Sequence, residues 1–173
     1  MTFYKQYDLL IEPDETLNFP GDSIKIFDCR ADLLISELGY SSFLKSHISN
    51  SQYLSIDKDL SSKAGIHGRH PLPMMKSWLA KIKNFGVSNS DQIVLYDETG
   101  GSFAARAWWM FRVFGHDRVQ ILEGGLPGWI AAGYETEQGE PTVALPGVGF
   151  VAVRQSAWVA DAEGVKAALS SLS

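Results

Sequence analysis

The stretch QIVLYDETGGSFAARAWWMFRVFG, residues 92–115, decides the fold. Within its first five residues, Gln92–Tyr96, the four from Ile93 on form an uninterrupted apolar run, as a strand buried on both faces does. Asp97 to Ser102 then form a polar turn with paired glycines. Residues 103–114 (FAARAWWMFRVF) follow with helix-forming Ala, Arg and Met and large aromatic side chains, and Gly115 stops them. A strand that turns directly into a helix is the repeating unit of a parallel sheet, whose strands need crossover connections.

Similar units lie on either side. Upstream, Ile24–Asp28 (IKIFD) is a short β-branched and aromatic run between Pro20-Gly21 and charged residues. A short helix is expected within residues 39–47 and a weak strand at residues 53–56. A clearer helix is expected over residues 74–84, where Met75, Trp78, Leu79 and Ile82 recur at i, i+3, i+4 and i+7. Pro73 suits its first turn and Gly86 its end. Downstream, Val119–Leu122 is a strand, and Gly124-Gly125 turn the chain into a helix near residues 127–132. The expected fold is a three-layer α/β/α sandwich with a central parallel sheet and right-handed crossovers.

The character changes after Gly133. Residues 135–149 are rich in Gly, Pro and Glu, including Pro141, Pro146, Gly147 and Gly149, and read as linker. Residues 159–172 place Val165, Ala168, Leu169 and Leu172 at helical spacing, with Asp161 as the cap. The expected division is a domain over residues 1–134, a linker over 135–158, and a helix over 159–173 with no partner in this sequence. That helix either packs back on the domain or opens a second one.

The 173 residues suffice for one domain, and a formal net charge of −5 argues against a nucleic-acid partner. A local site for small anions is still compatible with it. Cys29 is the single cysteine, so neither an internal disulfide nor a cysteine-based zinc site can form. His47, His67, His70 and His116 show no metal-ligand spacing. No cofactor is expected, because the chain has neither a phosphate-binding P-loop nor a GxGxxG turn. There is no signal-peptide pattern and no run of the roughly 20 apolar residues a membrane span needs, so the expectation is a cytoplasmic protein without a membrane partner.

The chemistry centres on the turn Asp97, Glu98, Thr99, Gly100, Gly101, Ser102 and Phe103. It lies beyond the carboxyl end of a parallel strand, where open sheets bind ligands. Glycines let successive N–H groups point inward as an anion-binding nest, and the following helix adds partial positive charge. Local composition alone leaves two readings open: an anion site, or a turn that Asp97 merely caps. Haloacid-dehalogenase-like phosphotransferases also use an Asp at a strand end, but their second Asp is missing from Asp97-Glu98-Thr99-Gly100. The Cys-x5-Arg loop of cysteine phosphatases is absent as well.

Longer strings narrow the choice. GRHPLP (residues 68–73), VLYDETGGSFAARAWWMFRVFGH (94–116) and VQILEGGLPGW (119–129) resemble, in order and spacing, the first domain of tandem-domain rhodaneses. These are the thiosulfate and 3-mercaptopyruvate sulfurtransferases. FDCR (27–30) resembles the family's Asp-x-Arg turn. His47-Ile48 resembles the start of its His-Ile-Pro-Gly motif, although here Ser-Asn-Ser follows. The resemblance implies sulfane-sulfur transfer through a cysteine persulfide at the head of the glycine loop. In tandem members that cysteine belongs to the second domain, and the first domain often carries Asp. Asp97 therefore implies that this chain has no catalytic residue of its own. The implied partners are a second rhodanese domain of the same polypeptide, a small sulfur donor and a thiol acceptor. Arg30, Arg69, His70 and Arg106 are candidates for the cleft or for interdomain contacts, with an ion pair holding the loop the simpler expectation for Arg106. Cys29 is expected to be a buried, inert thiol. The alternative is a free-standing inactive rhodanese-like module that binds or regulates.

Overall fold

The computed structural model of the chain describes residues 9–66, 68–141 and 149–171. In chain order the strands are β1 (Leu10–Ile11), β2 (Ile24–Asp28), β3 (His47–Ile48), β4 (Gln52–Tyr53), β5 (Gln92–Tyr96), β6 (Val119–Leu122) and β7 (Thr136–Glu137). The helices are α1 (Pro13–Thr16), α2 (Leu38–Lys45), α3 (Met75–Asn84), α4 (Ala104–Val113), α5 (Gly125–Ala131) and α6 (Ala162–Ser170).

Five strands form one parallel sheet in the order β1-β6-β5-β2-β4, as the strand–turn–helix pattern predicts. β5 is central, and all five of its residues are buried. Successive side chains of a strand point to opposite faces. Ile93 and Leu95 accordingly join a core with Trp78, Ile82, Met110 and Phe111 from α3 and α4. Val94 and Tyr96 join a second core with Ile11, Leu122, Leu126 and Trp129, on the side α5 covers. β1 closes one edge by pairing with β6, Leu10 against Ile121 and Ile11 against Leu122.

Several details depart from the sequence pattern. The weak strand expected at 53–56 lies earlier, at Gln52–Tyr53. The inner face of α3 is Trp78 and Ile82; Met75 is exposed and Leu79 half-buried, so the apolar stripe is narrower than its spacing suggests. β3 and β7 form a small antiparallel pair, His47 against Glu137 and Ile48 against Thr136. Residues just past Gly133 are thus woven into the body of the fold.

Residues 149–159 lie across α4 as a strap. The Val153 amide donates to the Phe114 carbonyl (3.1 Å) and the Gln155 amide to that of Val113 (2.8 Å). These carbonyls are among the groups a helix C-terminus leaves unpaired. Gly115, at φ 88°, permits the approach, since a Cβ there would stand 2.7 Å from the Val153 oxygen. The Asn89 side chain meets the Val151 backbone in both directions. Trp158, in a single 3-10 turn (Ser156–Trp158), takes the Arg112 guanidinium over its ring at 4.9 Å. Pro146 and Gly147 fall outside the described residues.

α6 begins where its capping residue predicts, with Asp161 accepting from the Gly164 amide at 2.8 Å. None of its residues is buried, and Val165 and Leu169 are 49% and 65% exposed. Leu172, the last residue of the expected stripe, lies outside the described residues. No helix among the described residues is long and apolar enough to cross a membrane.

Candidate functional site

The turn between β5 and α4 closes around the carboxylate of Asp97. Oδ1 accepts from the amides of Thr99 (2.9 Å) and Gly101 (2.9 Å). Oδ2 accepts from Phe103 (2.8 Å) and Ala104 (3.0 Å), the first amides of the helix. Gly100 and Gly101 adopt φ values of 72° and 87°, which a side chain would resist, and so turn these amides inward. The side chain is sealed in, with Asp97 1% exposed. On its other side, the backbone of Asp97 is met by the α5 turn. Leu126 donates to the Asp97 carbonyl at 2.9 Å, and a Cβ on Gly125 would collide with that carbonyl. A cavity of about 370 Å³ opens beside the loop, lined by Leu9, Leu10, Gly100, Gly101, Ile121 and Glu123 among others. The nest expected from the glycines is therefore present, and its anion is the protein's own. Glu98 and Ser102 face outward; Ser102 Oγ donates to the Thr99 carbonyl at 3.1 Å.

The neighbouring strand ends in a different arrangement. The Asp28 carboxylate accepts from Arg30 Nε (2.9 Å), Nη2 (2.7 Å) and the Arg30 amide (2.9 Å). Arg30 Nη2 also donates to the Ser46 carbonyl (2.6 Å), and Nη1 lies 3.5 Å from Glu98. Burial pulls the guanidinium pKa down, but the hydrogen bond and charge of Asp28 more than reverse this and raise it. Arg30 is buried within the described residues, and Asp28, two residues earlier, supplies its counter-charge.

Cys29 is buried as expected, with its amide bound to the Tyr96 carbonyl at 2.8 Å. Burial first, then the charges of Asp28, Asp97 and Asp59, push its thiol well above the ordinary range. A thiol held protonated is a poor nucleophile. The missing Pro-Gly after His47-Ile48 is made good by Asn50, whose φ of 62° lies in the left-handed region that Asn tolerates. Ser51 N donates to the Ile48 carbonyl at 2.9 Å and closes the turn.

The other two arginines and His70 meet at the loop carrying GRHPLP. Arg106 leaves the first turn of α4 and donates through Nη2 to the carbonyls of His70 (3.0 Å) and Leu60 (3.2 Å). No carboxylate pairs with it among the described residues, so the ion pair expected there is replaced by two backbone carbonyls and the face of Trp109. Arg69, exposed, donates to the Leu33 carbonyl. His70 Nε2 lies 3.2 Å from Asp57 Oδ1, and Ser36 Oγ donates to Asp57 Oδ2 at 2.9 Å. Asp57 is a residue sequence reasoning missed, since thirteen positions of loop separate it from His70. The indole nitrogens of Trp108 and Trp109 donate to the carbonyls of Val119 and Trp158. No group of three or more His, Cys, Asp or Glu side chains suited to a metal occurs among the described residues.

The chain is similar to known proteins in sequence and in fold. The family described as rhodanese-like domain matches residues 12–132. The probable 3-mercaptopyruvate sulfurtransferase of Pseudomonas aeruginosa is 37% identical over 121 residues, which are 68% of this chain and 43% of that protein. Thiosulfate/3-mercaptopyruvate sulfurtransferase 2 of Arabidopsis thaliana is 42% identical over 92 residues, 53% of this chain and 26% of that one. Among solved structures, the 3-mercaptopyruvate sulfotransferase SseA of Escherichia coli superposes with a TM-score of 0.76 at 30% identity, over 92% of this chain and 61% of its own. The chain spans less than half the length of these two curated relatives.

Proposed function

Because the chain belongs to the rhodanese-like domain family, we propose that it is the non-catalytic N-terminal half of a sulfurtransferase. The intact protein would move sulfane sulfur from thiosulfate or 3-mercaptopyruvate to a thiol or to cyanide, through a cysteine persulfide in a second rhodanese domain. On this reading residues 1–134 are the first domain, 135–158 the connection, and 159–173 the first helix of the second.

The observation that carries the reading is the occupancy of the Asp97 loop. Sulfur transfer needs a thiolate that attacks the outer sulfur of the donor, releases the remaining anion, and holds the sulfur as a persulfide. Four convergent amides would stabilise such an anion, but here a carboxylate already accepts all four. A carboxylate has no sulfur with which to form the S–S bond. What this half offers to the chemistry is His70. Its ring is steered by Asp57 at Nε2, and Nδ1 makes no hydrogen bond among the described residues. Such a histidine can offer a hydrogen bond to donor or acceptor in a cleft shared with the second half.

The 173-residue chain is expected to give no thiocyanate from thiosulfate and cyanide, whereas a chain extended through the coding sequence beyond Ser173 gives it. Turnover by the 173-residue chain above that of a Cys29→Ser variant would overturn the reading. A free-standing binding module is the second reading, favoured by the same closed loop. A stop codon directly after Ser173 would select it.

A further inference from the structure

Among the described residues, half-buried Arg106 hydrogen-bonds to backbone carbonyls alone, and its Nε has no partner. Burial accordingly lowers its pKa. A buried charge without a carboxylate is a costly way to satisfy two carbonyls; a neutral donor would do so with less desolvation. The length and fork of the guanidinium explain the choice. One nitrogen reaches Leu60 and His70 together, the two ends of the excursion that carries Gly68 and Arg69. The base of Arg106 is equally fixed. Phe103 and Ala104, three and two positions before it, are the residues whose amides bind Asp97 Oδ2. Trp109 lies beneath the guanidinium at 5.5 Å. An unbroken path therefore runs from the Asp97 carboxylate through the first turn of α4 and Arg106 to the backbone of His70.

We propose that Arg106 is a positioning residue that ties the His70 backbone to the helix Asp97 anchors, so that the Asp97 loop sets where the Asp57–His70 pair stands. The inference rests on the reading that His70 serves the sulfur-transfer reaction. It gives the loop a present task that needs no nucleophile.

The test uses the 173-residue chain with carbon-13-labelled histidine. In the otherwise wild-type chain, Asp57→Asn shifts the His70 ring resonances, because Asp57 touches Nε2. In Arg106→Met, which keeps the apolar stem, that response is expected to fall by about half or more. The Ser62 amide, which donates to the Pro71 carbonyl at 2.8 Å, is expected to exchange roughly tenfold faster while β5 amides keep their protection. Arg106→Lys, which retains the charge and a donor, restores part of both signals. An unchanged His70 response in Arg106→Met would overturn the proposal. So would equal acceleration of β5 amides in Arg106→Met and Arg106→Lys, which would mark a residue that only stabilises the fold. These signals are read without a second domain, so their failure is separate from failure of the thiocyanate test.

Discussion

Asp28 ends β2 and Asp97 follows the last residue of β5 on the adjacent strand; the first is answered by a side chain, the second by the backbone. The Asp28 arrangement depends on an arginine two positions away, so a change of residue type can dismantle it or replace it. The amides around Asp97 depend on the path of the chain. That path is held by Gly100, Gly101 and the start of α4, and by Gly125 pressing from the next turn. A cage of this kind keeps its shape whatever anion fills it. A loop headed by Asp and one headed by another anionic side chain can therefore share one backbone.

The sharpest challenge to this contrast is Asp97→Ala. It leaves four donors without their acceptor, and a loss of about 3–5 kcal/mol is expected in urea unfolding. A loss below about 1 kcal/mol would show that water fills the cage readily. Next comes Asp28→Ala, which strands the buried Arg30 and is expected to cost about 3–4 kcal/mol; Asp28→Leu with Arg30→Met recovers most of that. If the double variant is no better than Asp28→Ala, the Ser46 and Glu98 contacts matter more than the pair. A third change asks whether the cage accepts another anion. Asp97→Cys in a Cys29→Ser background should react with a disulfide reagent about a hundredfold faster than Cys29 does in the wild-type chain, because amides favour the thiolate and the adjoining cavity admits the reagent. Equal rates would sink the idea that the cage is tuned for anions in general. The smallest effect belongs to the link between the two sites. Glu98 is half-exposed and 3.5 Å from Arg30, so Glu98→Gln should change stability by less than about 0.5 kcal/mol.

The parts of the fold legible in the sequence were those with their own periodicity. β5, α4 and β6 carry largely apolar runs or helical spacing, and the glycines between them announce the turn. β1, β3 and β7 are two residues each and have no room for a pattern. The strap over α4 reads as linker because its contacts are with distant residues, Asn89, Val113 and Phe114, and leave no local trace. At the site, Asp97 and its glycines were readable because their contacts are local. Arg106 was readable as a candidate, but its partners are carbonyls, which every residue possesses and no sequence displays. Asp57 was hidden for the same reason that loops are hard to read: it lies thirteen positions from His70 along a stretch without period.

The pairing of β1 with β6 has a consequence for how the molecule is made. Leu10 and Ile11 leave the ribosome before their partners Ile121 and Leu122, which are synthesised roughly a hundred positions later. At ordinary translation speeds that is a wait of about 5–20 s. Until then the edge strand has nothing to pair with, and Ile11 cannot enter the core it shares with Leu122 and Leu126. The nascent chain thus carries an unpaired apolar segment until β6 has been made, and the sheet is sealed by its first strand joining its last.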